Sequence, residues 1–89
     1  MPEATKYNGW SNRETWLANL WLNNDEPSYR VFAQALRMDA DTSERAEWLE
    51  EQLRFQLDCE IDTPCLWQDL LRTSFGRISW LEVIEKNLD

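Results

Sequence analysis

Along this chain, apolar residues recur every three to four positions in five blocks separated by caps and breakers, and no stretch sustains the period-two alternation of a half-buried strand. The first block follows the turn-like pair Asn8-Gly9. Ser11 and Glu14 have the spacing of a capping box, in which each side chain accepts a hydrogen bond from the other residue's backbone amide. A helix is therefore predicted from near Asn12. At 100° per residue it carries Trp16, Leu17, Leu20 and Trp21 on one broad face, and Asn23-Asn24-Asp25 ends it.

Asp25 in turn caps a second helix, with Pro27 in its first turn, where a missing N–H is harmless, and Tyr29, Phe32, Ala33 and Leu36 as its buried stripe. Asp41 and Glu44 repeat the capping spacing for a third helix of about four turns, on which Ala46, Leu49, Leu53 and Leu57 share a face. Thr63-Pro64 starts a fourth, carrying Leu66, Trp67, Leu70 and Leu71 and fraying by Ser74 to Gly76. Ser79 and Glu82 cap a fifth from Trp80, with Ile78 placed to staple onto Val83. The predicted fold class is all-α, a bundle of about five short helices. It forms a single domain over residues 1–89, with 1–7 a polar arm that is either extended or disordered.

Composition supports this fold. The chain has 89 residues, and a domain that small buries only roughly 60–65% of the surface its unfolded form exposes, so its core must be dense. Six Trp, three Phe and two Tyr provide the bulk, and two Gly and three Pro leave little room for a loop-rich fold. No apolar run approaches the ~20 residues that cross a bilayer, and Met1 to Lys6 lacks the apolar stretch of a secretory signal, so a cytoplasmic location is expected. Cys59 and Cys65 are read as reduced structural thiols, with a redox pair as the alternative; with no His, zinc lacks its usual further ligands.

The net charge of −8 is unevenly spread. Residues 39–62 hold nine acids against Arg45 and Arg54, while the segments on either side are nearly balanced. This argues against direct contact with nucleic acid or an anionic membrane, which reward clustered Lys and Arg.

The stretch Tyr7-Asn8-Gly9-Trp10-Ser11-Asn12-Arg13-Glu14-Thr15-Trp16-Leu17-Ala18-Asn19-Leu20-Trp21-Leu22-Asn23-Asn24-Asp25 resembles the amino-terminal signature of a family of small uncharacterised proteins found mainly on phages, plasmids and other mobile elements. That signature is a Tyr-Asn-Gly-Trp start, an Asn-x-x-Thr-Trp core, and a Leu-Trp followed by Asn and Asp. Ile78-Ser79-Trp80-Leu81-Glu82-Val83-Ile84 is similar to its weaker second motif, and together the two cover about thirty residues. The family has no established activity to carry over. The resemblance implies a mobile-element setting and, by analogy, a host-interaction role.

An enzyme is not expected. Without His the commonest general acid or base is missing, and Ser, Thr and Cys lack an imidazole partner. Glu47 and Glu51, one turn apart, read as solvated surface. Asp39, Asp41 and Ser43 have the alternating spacing of calcium ligands without the glycine an EF-hand loop needs, and neither cofactor nor metal is expected. Trp10, Trp16, Trp21 and Trp80 read first as core packing, with Trp10 as the ring best placed to serve instead as a surface anchor.

The third predicted helix carries the candidate site. With its leucines inward, Glu47, Glu50, Glu51 and Asp58 form a stripe flanking the core face, with Glu44 at its start; Trp48 and Phe55 lie nearly opposite the leucines. At a rise of 1.5 Å per residue, Glu44, Glu47, Glu51 and Asp58 are separated by about 4.5, 6 and 10.5 Å along the axis, which brackets the spacing of successive phosphates. The two rings are either covered by another element or form an exposed aromatic pair beside a carboxylate row. The leading expectation is a protein-binding module that inhibits a nucleic-acid-handling or defence protein of the host, in the manner of an anti-restriction or anti-CRISPR DNA mimic. It would present Glu44, Glu47, Glu50, Glu51 and Asp58, with Trp48, Phe55 and Trp10, to a basic groove. The alternative is a structural protein of a phage or plasmid assembly, or a homodimer joined through Trp48 and Phe55.

Overall fold

Five helices organise residues 9–88, the part of the chain that the computed structural model describes. The arm at 1–7 and Asn8 of the predicted turn lie outside the described residues. The helices are α1 (Arg13–Asn24), α2 (Glu26–Arg37), α3 (Thr42–Glu60), α4 (Leu66–Arg77) and α5 (Trp80–Asn87). No strand occurs among the described residues, and the fold is all-α as the periodicity predicts.

Caps explain most of the boundaries. The Asp25 carboxylate accepts from the Ser28 amide and hydroxyl, with Pro27 in the first turn of α2. Asp41 and Glu44 form the full capping box of α3: Glu44 N–H donates to Asp41, and Asp41 N–H donates back to Glu44. The start of α1 differs from expectation. Asn12 is the cap, accepting from the Thr15 amide at 2.8 Å, while Ser11 bonds Glu82 rather than Glu14. Helix α4 begins at Leu66 without a side-chain cap and runs past Gly76 to Arg77 instead of fraying. Its end is held, since the Arg77 carbonyl accepts from Asn12 Nδ2 and the Arg77 guanidinium lies 3.2 Å from Glu14.

The core joins α1, α2, α3 and α5. Leu22, Phe32, Ala35, Ala46, Leu49, Trp80, Val83 and Ile84 form one buried cluster. Leu53, Leu36, Trp48, Phe75 and Ile78 pack on its edge. The leucine face of α3 is inward as predicted, with Ala46 and Leu49 buried and packed towards α5. Arg45 ties the start of α3 to α2, its guanidinium donating to the carbonyls of Leu36 and Ala40.

Two helices are rolled differently from the sequence expectation. In α1 the inward residues are Thr15, Leu22 and the half-buried Ala18, whereas Leu17, Leu20 and Trp21 face solvent. In α4 the inward residues are Gln68 and Phe75, and Leu66, Trp67, Leu70 and Leu71 are exposed. The physical reason is that directed bonds set both rolls. Thr15 Oγ1 accepts the Ser79 amide, and Gln68 Nε2 donates to the Ile61 carbonyl, each from a buried position where an unpaired polar group would be expensive.

Candidate functional site

Several of the residues that carry the family resemblance, Gly9, Trp10, Ser11, Thr15, Asn19, Ser79 and Glu82, meet in one polar seam. Gly9, with φ +89°, turns the chain so that its carbonyl accepts from Lys86 Nζ at 2.7 Å, and the same ammonium lies 4.6 Å from the centroid of the Trp10 ring. One residue on, Ser11 donates through both its amide and its hydroxyl to the Glu82 carboxylate. That carboxylate is therefore not reaching back to the Ser79 amide, as a complete capping box on α5 would require; the Ser79 N–H goes to Thr15 instead. Asn19 Oδ1 accepts from Asn87 at the far end of α5. The stretch around Trp10 to Asn19 and the stretch Ile78 to Ile84 are thus two sides of one contact, which fastens α1 to α5. Trp10 is half-buried within it and packs against the core.

The acidic face of α3 is only partly available. Glu44, Glu47, Glu51 and Asp58 are exposed and Glu50 is half-buried. Glu44 is engaged in its capping box, Glu50 pairs with Arg54 at 3.0 Å, and Asp58 pairs with Arg72 at 3.2 Å. Glu47 and Glu51 make no ion pair among the described residues. The two rings separate: Trp48 is half-buried against the core, while Phe55 is 69% exposed beside Glu51. The candidate residues thus reduce, as a contiguous free face, to Glu47, Glu51 and Phe55, flanked by the engaged Glu44 and Asp58.

A larger surface lies elsewhere, on α4 and the adjoining side of α1. Polar and aromatic groups anchor the inner side of α4: Gln68 on Ile61, Arg72 on Asp58, and Phe75 between the Arg54 guanidinium and the Trp80 ring, whose centroid is 5.2 Å away. Its outer side is the apolar one. Leu66, Leu70, Trp67 and Leu71 sweep about 140° of the helix surface at 100° per residue, and Trp67 is 64% exposed. Leu71 meets Leu17, Ala18 and Trp21 across a groove of about 500 Å³ that also borders Arg13, Glu14, Ser74 and Ile78. Trp21, 60% exposed, and Leu20 continue the surface along α1.

The sequence reading missed this surface. A signal for it was present in the width of the apolar arc. From Leu66 round to Phe75 it covers about 180°, and that of α1 is wider still, whereas about 100° suffices to face one core. Such a helix has more apolar surface than one neighbour can cover.

Among the described residues no group of three or more Cys, Asp or Glu is placed to hold a metal ion, and no helix is long and apolar enough to cross a membrane. Cys59 and Cys65 are free and exposed. Fold and surfaces together define a small all-α domain in which an acidic helix and an uncovered apolar face lie on separate helices. The chain belongs to a family of unknown function, DUF7249, which it matches over residues 3–82. No curated protein and no solved structure matches it.

Proposed function

We propose that this protein is a binding module that performs no chemistry of its own and works by burying its α1/α4 apolar face against another protein surface. The observation that carries the reading is the chemistry of α4, which buries the amide of Gln68, holds the exposed Arg72 in a surface ion pair with Asp58, and leaves Leu66, Trp67 and Leu70 exposed. Contiguous apolar surface beyond a few hundred Å² is unfavourable in water unless something covers it, and Trp and Leu supply desolvation energy without demanding hydrogen-bond partners.

A second reading rests on Glu47, Glu51 and Phe55. Two carboxylates that make no ion pair among the described residues, beside an exposed ring, suit the basic groove of a nucleic-acid-handling protein, the carboxylates steering encounter and the ring anchoring it. The host-inhibitor role and the mobile-element setting belong with this second reading and draw their support from the resemblance in Tyr7–Asp25, and the cytoplasmic location expected from the sequence goes with it. That three of the five acids are already engaged makes it the weaker of the two.

Photo-crosslinking in the producing cell tests both. A benzophenone side chain at position 67, at position 55, or at the control position Gln34 should give protein adducts at 67 well above those at 34. Adducts at 55 alone would favour the acidic face, and no protein adduct at either would overturn the binding-module reading.

A further inference from the structure

We infer that the occupant of the α1/α4 face is a second copy of this chain, forming a two-fold dimer; the inference rests on the binding-module reading above. Area is the first argument. Taking about 250 Å² for a fully exposed Trp and somewhat under 200 Å² for a Leu, the apolar residues of this face expose roughly 700 Å². That is close to the ~800 Å² per partner of a standard stable interface, and above the ~300–600 Å² of the largest patch on a typical monomer.

Charge is the second. A chain of net charge −8 repels its own copy unless the acids are kept out of the contact. Most are kept out here. Nine of the seventeen acids lie in residues 39–62, mostly on α3, while the groove between α1 and α4 carries only Arg13 and Glu14, the latter paired with Arg77, with Asp25 bordering the Leu20 and Trp21 end of the face and Asp69 exposed on α4. The inner side of α4, through Arg72 and Phe75, faces α3, so the leucine side points away from it. A basic partner would be drawn to α3 rather than to this face, and an anionic membrane would be repelled by the molecule as a whole.

Shape is the third argument. A two-fold contact uses the same patch twice, so that patch must carry both a projection and a recess. The α4 ridge of Leu66, Trp67 and Leu70 lies beside the groove bounded by Leu17, Trp21 and Leu71. Each copy can place its ridge in the other's groove, leaving both α3 faces outward.

Sedimentation equilibrium from micromolar to millimolar concentration, in 0.1 M and 1 M NaCl, reads this directly. The expected result is a species of twice the 10.7 kDa chain mass whose dissociation constant is unchanged or lower in high salt, because screening removes residual repulsion between acidic copies. Trp67→Glu and Leu70→Glu, both on the exposed side of α4, should weaken dimerisation at least tenfold with helix content unchanged. Trp21→Glu should do the same from α1, and Glu47→Gln with Glu51→Gln should leave the dimer intact. A monomer up to about 1 mM, or a dimer indifferent to all three glutamate substitutions, overturns the inference. If that monomer still gave crosslinks at position 67 to a different protein, the binding-module reading would stand and the self-association alone would fall.

Discussion

Thr15 shows how much one side chain organises. It is fully buried, and its hydroxyl takes the amide of Ser79 at 2.9 Å, so that α1 docks against the start of α5 through a bond neither helix could satisfy alone. Thr15→Val preserves the volume but leaves the part-buried Ser79 N–H unpaired, and it should cost about 1–3 kcal/mol in urea unfolding with an unchanged m-value. Gly9 is constrained in another way. At φ +89° an alanine is strained, although the space beside it is open to 3.6 Å from Lys86, so Gly9→Ala should lower stability by about 1 kcal/mol through backbone conformation. Lys86→Met, which removes the ammonium from the Gly9 carbonyl, the Trp10 ring and Glu82, should perturb the Trp10 fluorescence while leaving the core intact.

Helices α3 and α4 behave as opposites. On α3 the apolar stripe is the buried one, and Leu49→Ala should cost about 2–5 kcal/mol, as expected for a fully enclosed leucine. On α4, Leu70 is half exposed, and Leu70→Ala should change monomer stability by less than about 0.5 kcal/mol, measured below the concentration at which the chain associates. An equal loss at both positions would show that α4 lies inward in solution. Amide exchange offers an independent check: α4 amides should exchange ahead of those of α3 and α5 in dilute solution and gain protection on concentration. The like charges of Glu47 and Glu51, one turn apart, oppose α3, so Glu51→Gln should raise thermal stability slightly, by roughly 0.2–0.5 kcal/mol at low salt and by nothing in 1 M salt.

Across the whole molecule, most of the excess acid lies in residues 39–62 and most of the exposed apolar surface on α1 and α4, with Phe55 beside Glu51 as an exception. In the dimer proposed above, that distribution leaves little like charge to oppose contact at the α1/α4 face. This arrangement was only half legible in the sequence. The charge imbalance of residues 39–62, the inward leucines of α3 and the caps at Asp25, Asp41 and Ser79 depend on neighbours within one turn or on composition alone, and were readable directly. The roll of α1 was not. Trp16, Leu17, Leu20 and Trp21 form as good a face as Thr15, Ala18 and Leu22, and only the long-range Thr15–Ser79 and Asn12–Arg77 bonds choose between them.

Local periodicity and capping therefore determined that the described residues form five helices, where most of them start, and which side of the longest is buried, because those properties are set by interactions along a single helix. Tertiary structure alone decided which face of α1 and α4 meets the core, that Glu82 leaves its own cap for Ser11, and that the leucines of α4 are exposed on the single chain. Those choices depend on partners as many as 71 residues apart in the chain, whose approach no pattern within one helix encodes.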